Sequence, residues 1–223
     1  MQYATSDRAS ATLDLQRRII GELTAKKRVL WVVSGGSNID VAGAVMAAVD
    51  EELQSKLTIM LSDERYGPVG HADSNFKQLS DKGFEPRGAT WLPVLHEGLS
   101  LIETAAAYGT VVREAFGAAD IIIAQLGIGS DGHIAGILPN SPAVSVSDTL
   151  VTGYLSDPYQ RVTMTFRALQ AIDVDYTLAY GGDKQPALEQ LQQSNLSLSQ
   201  QPSMILKQLP EAHVYNDSIG DST

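Results

Sequence analysis

Short apolar segments that end in glycine alternate along this chain with segments of helical periodicity. Residues 28–34 form a β-rich apolar run that stops at Gly35-Gly36, and residues 121–126 form a second such run. Runs of this length, bounded by glycines, are typical of buried strands. Residues 100–116 instead place apolar side chains at helical spacing. Strands that alternate with helices need crossover connections, so the pattern favours an α/β fold with a mostly parallel sheet covered by helices on both faces.

The same criteria divide the rest of the chain. The predicted strands are residues 28–34, 58–61, 91–95, 121–126, 162–166, 174–180 and 212–215. The predicted helices are residues 13–23, 39–49, 74–79, 100–116 and 184–191. We interpret residues 140–149 and 192–202 as surface loops, and residues 216–223 as a polar tail. The length favours one domain over residues 1–223, with enough chain to bury a substantial core.

The composition excludes several classes of partner. The net charge is −10 at pH 7, which disfavours a general affinity for nucleic acid or for an anionic membrane. There is no cysteine, which excludes disulfides and thiolate metal sites and fits a reducing compartment. No apolar run approaches the roughly 20 residues that span a bilayer. We therefore expect a cytoplasmic protein with no nucleic-acid or membrane partner.

The loop at residues 126–133 places Asp131 and His133 among three glycines, directly after a predicted buried strand. Glycine lets the backbone turn sharply and approach a ligand, so N–H groups around Gly127 to Gly129 are candidate donors to a substrate. A carboxylate and an imidazole two positions apart can act on one proton. The setting, with a helix-like segment following, favours His133 as a catalytic base over a structural histidine. No HExxH or HxxxH spacing occurs, so we expect no metal site.

A second glycine-containing loop, Ser34-Gly35-Gly36-Ser37, lies between a predicted strand and a predicted helix. Backbone N–H groups at the start of a helix can bind a phosphate, and serine hydroxyls add donors. An ordinary tight turn explains so short a pattern about as well. The Walker loop and the dinucleotide fingerprint are both absent, so the sequence gives no sign of a nucleotide cofactor.

Polar and charged residues also follow the next predicted strand. Arg65 can bind a phosphate through two parallel N–H bonds, and Asp63 can accept from a sugar hydroxyl. For an isolated triplet of this kind, a solvated Glu64–Arg65 pair is the favoured interpretation. Ser74-Asn75 opens the following helix, where a cap explains it equally well.

Two further cations occupy suggestive positions. Arg161 begins a segment with the period-2 alternation of a strand, and Lys184 follows a Gly-Gly-Asp turn near the start of a predicted helix. An ammonium at a helix start is opposed by the positive end of the helix dipole. An anionic ligand near Lys184 is therefore favoured over a merely solvated lysine.

In this order and spacing, the segments resemble the 6-phosphogluconolactonase family. The matching segments are SGGS at 34–37, SDERY at 62–66, DSNF at 73–76, LGIGSDGH at 126–133, RVT at 161–163, and Gly182 with Lys184. The resemblance implies a Rossmann-like three-layer α/β/α sandwich that needs no organic cofactor. It also implies hydrolysis of 6-phospho-D-glucono-1,5-lactone to 6-phosphogluconate, in the oxidative pentose phosphate pathway. The expected partner is thus a small sugar-phosphate lactone, bound by a monomer or a weak homo-oligomer.

The resemblance also implies residue roles. His133 corresponds to the proposed general base. Arg65 is expected on the substrate together with the Gly-Gly-Ser loop, and Arg161 and Lys184 near the phosphate. Either Asp131 or Asp63 would orient the imidazole, and the sequence leaves both open.

Some positions depart from the family pattern. After His133 the chain has IAGILP where the family commonly has TASLFP, so hydroxyls are missing at Ile134 and Gly136. The related glucosamine-6-phosphate deaminases usually have tyrosine where this chain has Arg65, and glutamate where it has Leu138. Both differences favour the lactonase over the deaminase. A sugar-phosphate-binding regulator without catalysis is the remaining alternative.

Overall fold

Ten strands and seven α-helices make up the part of the chain, residues 1–220, that the computed structural model describes. In chain order they are β1 (Gln2–Thr5), α1 (Arg8–Thr24), β2 (Val29–Val33), α2 (Ile39–Ala48), α3 (Glu51–Gln54), β3 (Leu57–Leu61), β4 (Asp63–Arg65), α4 (Asn75–Asp81), β5 (Thr90–Leu92), α5 (Leu101–Ala118), β6 (Ile121–Leu126), β7 (Val151–Ser156), β8 (Tyr159–Met164), α6 (Phe166–Leu169), β9 (Val174–Leu178), α7 (Gln185–Gln193) and β10 (Glu211–Asn216). Short 3₁₀ turns join several of them.

Seven of these strands form the central sheet, in the order β1-β10-β9-β6-β2-β3-β5. Every neighbouring pair is parallel, which confirms the predicted sheet. In the middle of the sheet Val29 pairs with both Ile121 and Leu57. All residues of β2 and β6 are buried, because a parallel sheet is covered on both faces. This is why these strands are continuous apolar runs in the sequence.

The chain winds through the sheet in two directions. From β1 to β2, β3 and β5 each connection moves toward one edge, and from β5 through β6 and β9 to β10 it moves back. Since crossovers between parallel strands are right-handed, the two directions put their helices on opposite faces. Helix α1 packs on α2 and α2 on α4, so these three share one face. Helices α5 and α7 belong to the connections that run back, which assigns them to the other face. The result is the predicted three-layer sandwich.

The reversal of direction falls between β2 and β6. The connection after β2 leaves toward one face and the connection after β6 leaves toward the other, so their loops diverge and open a crevice. Ligands of open α/β sheets bind at such a switch point, outside the carboxyl ends of the strands.

A second, antiparallel sheet of order β4-β8-β7 was not predicted. Residues 162–166, predicted as a further strand, fall mostly in β8 of this sheet, and the segment Asp63–Arg65, which was not among the predicted strands, forms β4. In the pairing of β4 with β8, Arg65 lies opposite Arg161. Helix α5 packs against β7 and β8. The small sheet therefore brings two distant segments of the chain together beside the crevice.

Two predicted surface segments are partly buried. Residues 192–202 end in Gln201 and Pro202, which are both buried. The predicted polar tail begins too early, because Asn216 is the last residue of β10 and its Oδ1 accepts from the backbone N–H groups of Ser218 and Ile219. The end of that tail, residues 221–223, lies outside the described residues. Within residues 1–220, no helix is both long enough and apolar enough to cross a membrane.

The central sheet generates a stability prediction. Ile123 of β6 has no solvent exposure. Its replacement with alanine is expected to lower the free energy of unfolding by about 2–5 kcal/mol, because it leaves a cavity in the core beside the sheet. The matched control is Ile102→Ala, at an isoleucine of α5 whose exposure is 67%; it is expected to change stability by no more than about 0.5 kcal/mol. Urea denaturation measures both. Equal losses for the two variants would contradict the described position of β6.

Candidate active site

A cavity of about 210 Å³ opens at the switch point, outside the carboxyl ends of the central strands. Loops after β2, β6 and β9 form it together with the small sheet. Eleven of the residues predicted from the sequence line it: Ser34, Gly35, Gly36, Ser37, Asp63, Arg65, Asn75, Gly129, His133, Arg161 and Lys184. Asn38, Gly127, Ile128 and Ala135 complete the lining. Two predicted residues, Ser74 and Asp131, lie behind the cavity and do not line it. Asp131 bonds to His133, which lines the cavity, and Ser74 bonds to Glu64.

A larger cavity, of about 410 Å³, lies at the opposite end of the sheet. It is lined mainly by aliphatic side chains of β2, β3, β5 and α5, with charges from Arg28, Lys56 and Glu114. It contains no histidine and no glycine-rich turn, and its Arg28 is already paired with Asp120. The smaller cavity at the switch point is the better candidate.

His133 is held by the carboxylate of its own loop. Asp131 Oδ1 lies 2.6 Å from His133 Nδ1 and also accepts from the His133 backbone N–H at 3.1 Å. Burial raises the pKa of Asp131, but its hydrogen bonds with His133 and the charge of the imidazole outweigh that effect and lower the pKa to about 2. A carboxylate on Nδ1 fixes the ring orientation and leaves Nε2 for another partner. Asp63 instead bonds with Ser62 and Asn75.

The pairing of Asp131 with His133 requires glycine at position 129. A Cβ on Gly129 would lie 2.0 Å from His133 Nδ1 and 2.6 Å from Asp131 Oδ1. The Gly129 N–H donates to the His133 carbonyl at 2.9 Å, so it closes the loop and is not free for a substrate, contrary to the sequence-based expectation.

No helix begins directly after His133, so the prediction of a helix-like segment there was wrong. Residues 134–137 form a turn with an isolated bridge between Ile134 and Ile137, and Ala135 has a φ of 49°. The missing hydroxyl at Gly136 has a local cause. A Cβ there would lie 2.9 Å from Thr163 Cβ, and the Gly136 N–H already donates to Thr163 Oγ1 at 3.0 Å. The small sheet supplies the hydroxyl that the loop lacks.

The Gly-Gly-Ser loop turns where β2 meets the helical layer. Gly36 has a φ of 75°, and a short 3₁₀ turn leads from it into α2. A Cβ on Gly35 would lie 2.4 Å from Asn75 Oδ1, so glycine allows the loop to touch the start of α4. Ser34 Oγ lies 2.8 Å from Ser62 Oγ, which binds this hydroxyl into the protein. Neither Ser37 nor Asn38 caps α2 with its side chain.

Glu64 is the residue that the sequence interpretation missed. Its carboxylate is 1% exposed, which contradicts a solvated Glu64–Arg65 pair. It accepts from the backbone N–H groups of Arg65 at 2.7 Å, Asn75 at 2.5 Å and Phe76 at 3.1 Å, and from Ser74 Oγ at 2.9 Å. Burial raises its pKa, and these hydrogen bonds only partly offset the rise. Ten residues separate Glu64 from Ser74, so no local motif reveals the contact.

Because of these contacts, Glu64 fastens β4 to the first turn of α4. Ser74, the N-cap of that helix, accepts from the Lys77 N–H at 3.1 Å, as the cap interpretation expected. Asn75 Nδ2 in turn donates to the Asp63 carbonyl at 2.9 Å. The cavity-lining residues Asp63, Arg65 and Asn75 are thus held by one buried carboxylate.

The three predicted cations reach the cavity from two sides. Arg65 and Arg161 lie over the ring of Tyr159, with guanidinium carbons 5.0 and 5.6 Å from its centroid. Lys184 comes from the turn after β9. In the central sheet, β9 lies three strands away from β3, the strand that leads into β4 and Arg65. Its Nζ lies 3.2 Å from the exposed Asp183 carboxylate. Two guanidinium groups on neighbouring strands repel each other, so an anion between them would be stabilising.

Comparisons with known proteins agree with this geometry. The family described as glucosamine-6-phosphate isomerases/6-phosphogluconolactonase matches residues 5–215. A 6-phosphogluconolactonase of Pseudomonas aeruginosa is 31% identical over 179 residues, which cover 75% of this chain and 73% of that protein. A probable 6-phosphogluconolactonase 2 of Oryza sativa subsp. indica is 25% identical over 91% of this chain and 80% of its own length. Among solved structures, a 6-phosphogluconolactonase from Shewanella baltica superposes with a TM-score of 0.82 at 18% identity and covers 97% of both chains.

By its fold and its match over residues 5–215, the chain is an α/β protein of the group that unites glucosamine-6-phosphate isomerases with 6-phosphogluconolactonases. Within that group, the chain belongs to the 6-phosphogluconolactonase family. The resemblance stated from the sequence is confirmed. Among the described residues, no three histidine or carboxylate side chains converge into a metal site.

The Glu64 contacts generate a second prediction. Glu64→Gln places an amide NH₂ against backbone N–H donors, so the free energy of unfolding is expected to fall by about 1–3 kcal/mol. The control is Glu114→Gln, at an exposed glutamate of α5, which is expected to leave stability unchanged within about 0.5 kcal/mol. Chemical denaturation at pH 7 compares the two. A Glu64→Gln variant as stable as its control would mean that this carboxylate does not fasten β4 to α4.

Proposed function

We propose that this chain hydrolyses 6-phospho-D-glucono-1,5-lactone to 6-phosphogluconate, with His133 as the general base. The enzyme class, a lactone hydrolase of the 6-phosphogluconolactonase family, follows from the family membership. The observation that carries the assignment of roles is the lining of one cavity by an aspartate-paired imidazole, a Gly-Gly-Ser loop and three cations.

In the proposed reaction, neutral His133 takes a proton through Nε2 from a water molecule that attacks the lactone carbonyl carbon. The C–O bond of the ring then breaks, and the protonated imidazole returns its proton to the departing ring oxygen. Asp131 keeps the N–H of the neutral ring on Nδ1 and stabilises the imidazolium that forms. Its bond to Nδ1 favours Asp131 over Asp63 for this role.

The oxyanion of the tetrahedral intermediate needs N–H donors that point into the cavity. The Gly129 N–H is occupied, so the N–H groups of Gly127 and Ile128, which line the cavity on the same loop, are the better candidates for such donors. The remaining polar atoms of the lining fit a hydroxylated sugar. Asp63 and Asn75 provide a carboxylate and an amide there, suited to ring hydroxyls.

The cations and the backbone N–H groups of the Gly-Gly-Ser loop would hold the phosphate and so fix the lactone in attack geometry. Arg65 and Arg161 offer planar donors from one side, and Lys184 an ammonium from the other. A chain with net charge −10 needs such a local cluster to bind an anionic substrate.

The deaminase alternative lacks support at position 138. Deaminases usually carry a glutamate there, whereas Leu138 of this chain packs against the hydrophobic core and has no proton to transfer. Release of ammonia from glucosamine 6-phosphate would revive that alternative. Binding of 6-phosphogluconate without accelerated hydrolysis would instead favour the non-catalytic regulator. The cytoplasmic location and the monomeric or weakly oligomeric state remain predictions from the sequence.

The assignment of the base generates a third prediction. His133→Ala is expected to lower kcat for the phosphorylated lactone by about 10²–10⁴-fold, because a positioned general base contributes that much. The assay couples 6-phosphogluconate formation to a dehydrogenase and subtracts spontaneous lactone opening. The control is His96→Ala, at an exposed histidine outside the cavity, with turnover expected to stay normal. Near-normal turnover by a folded His133→Ala variant would remove the base assignment.

The phosphate grip generates a fourth prediction. Lys184→Ala is expected to lower kcat/KM for the phosphorylated lactone by about 10–100-fold, since a charge-assisted bond is lost, and to leave kcat/KM for unphosphorylated glucono-1,5-lactone nearly unchanged. The control is Lys27→Ala, at a lysine just before β2, at the opposite end of the sheet from the cavity. Equal losses on both substrates would show that Lys184 does not act through the phosphate.

A further inference from the structure

Asn38 lies at the point where the three cavity loops meet. Its side chain is 2% exposed. Its Nδ2 donates to the Leu178 carbonyl, the last residue of β9, at 2.9 Å, and approaches the Leu126 carbonyl at the end of β6 at 3.4 Å. Its own carbonyl accepts from Gln125 Nε2 at 2.9 Å. One residue after the Gly-Gly-Ser loop therefore joins the carboxyl ends of two other strands.

Arg8, in the first turn of α1, extends this contact. Its Nη1 donates to the Ser37 carbonyl at 2.7 Å and to Asn38 Oδ1 at 2.9 Å. Its guanidinium carbon lies 4.9 Å from the centroid of the Tyr180 ring, in the turn that leads from β9 to Lys184. Together, Arg8 and Asn38 thus connect the Gly-Gly-Ser loop to the end of β9 and to the turn after it. We call this pair the Arg8–Asn38 brace.

The amide group of Asn38 fits this position in both of its halves. Oδ1 accepts from an arginine, while Nδ2 donates to backbone carbonyls that have no other side-chain donor among the described contacts. Gly127 makes room for it, because a Cβ there would lie 2.9 Å from Nδ2. A carboxylate in the same place would face the Leu178 carbonyl oxygen and repel it.

We propose that Asn38 is a positioning residue that sets the distance between the Gly-Gly-Ser loop and Lys184, so that both reach one phosphate. The proposal rests on the proposed function, because it assigns Lys184 and the loop to the same anion. Asn38 acts through its neighbours, and the Arg8 cation holds it in orientation. The brace does not touch the Asp131–His133 pair, so it is expected to govern phosphate binding rather than the proton transfer.

The test is a double-mutant cycle on the full chain. Asn38→Ala, Lys184→Ala and the double variant are compared with the wild type for the Kd of 6-phosphogluconate by calorimetry, and for KM and kcat with the phosphorylated lactone. Asn38→Ala is expected to weaken binding and raise KM about tenfold, because a misplacement of about 1 Å is costly, with kcat changed less than about twofold. In the Lys184→Ala background the same substitution is expected to cost less than about threefold.

Two further variants separate positioning from general stability. Asn38→Asp keeps the acceptor for Arg8 but loses the donor to Leu178, and is expected to weaken binding at least as much as Asn38→Ala. Gln54→Ala removes another buried bridging amide, which donates to the Val49 carbonyl at 2.9 Å and accepts from Gly88 at 2.8 Å, outside the cavity. This control is expected to leave Kd and KM unchanged within about twofold.

Additive losses in the cycle would overturn the brace, as would an equal effect of Gln54→Ala or a fall in kcat without a rise in KM. A wild-type chain that binds 6-phosphogluconate but does not hydrolyse the lactone would overturn the proposed function, and the Kd cycle would still decide the proposal for Asn38. A Lys184→Ala variant with unchanged Kd would remove Lys184 from the phosphate site, and the brace with it.

Discussion

The reversal of winding between β2 and β6 is the constraint on which the rest of the structure depends. Both strands are buried along their whole length, so only the loops at their ends can form a cavity open to solvent. Because right-handed crossovers send these connections to opposite faces, the two connections diverge and leave a gap at the carboxyl ends of β2 and β6. The chain fills that gap with a Gly-Gly-Ser turn from one side and a loop carrying His133 from the other. The cavity is thus a product of topology, and the side chains give it its chemistry.

Close backbone contact turns the crevice into a site. Gly35, Gly127 and Gly129 each lie where a Cβ would collide with a polar side chain of another cavity residue. Hydrogen bonds from a second set of residues hold these polar groups in place. Asp131 bonds to His133, Glu64 to the start of α4, and Arg8 to Asn38. Each support comes from a residue outside the cavity lining. Preorganisation of this kind keeps the groups that would meet a substrate in one arrangement before the substrate arrives.

The central sheet could be predicted from sequence because its strands are continuous apolar runs, and its carboxyl-end loops because they contain glycine. The small sheet could not. Strand β4 is three charged residues, and it pairs with β8 almost a hundred positions later, which no local periodicity reveals. Glu64 was misjudged for a related reason, since its partners come from a helix start ten residues on. The helix expected after His133 failed because Gly136 packs against Thr163, a contact between distant segments. Residues that line the cavity were found largely through their motif. The supporting residues Glu64 and Arg8 were missed, and so was Asn38, which both lines the cavity and joins its loops.

The close approach at Gly136 limits how this chain can vary. A side chain at position 136 would collide with Thr163 and would also lie 3.0 Å from Asp63 Cβ, while Thr163 supplies the hydroxyl that the Gly136 N–H requires. A serine at position 136 would fit only together with an unbranched residue at position 163. The serine hydroxyl would then take the place of the Thr163 hydroxyl. Position 136 lies in the turn after His133 and position 163 in β8, yet a hydrogen bond joins them, so the residue at one position limits which residues fit at the other.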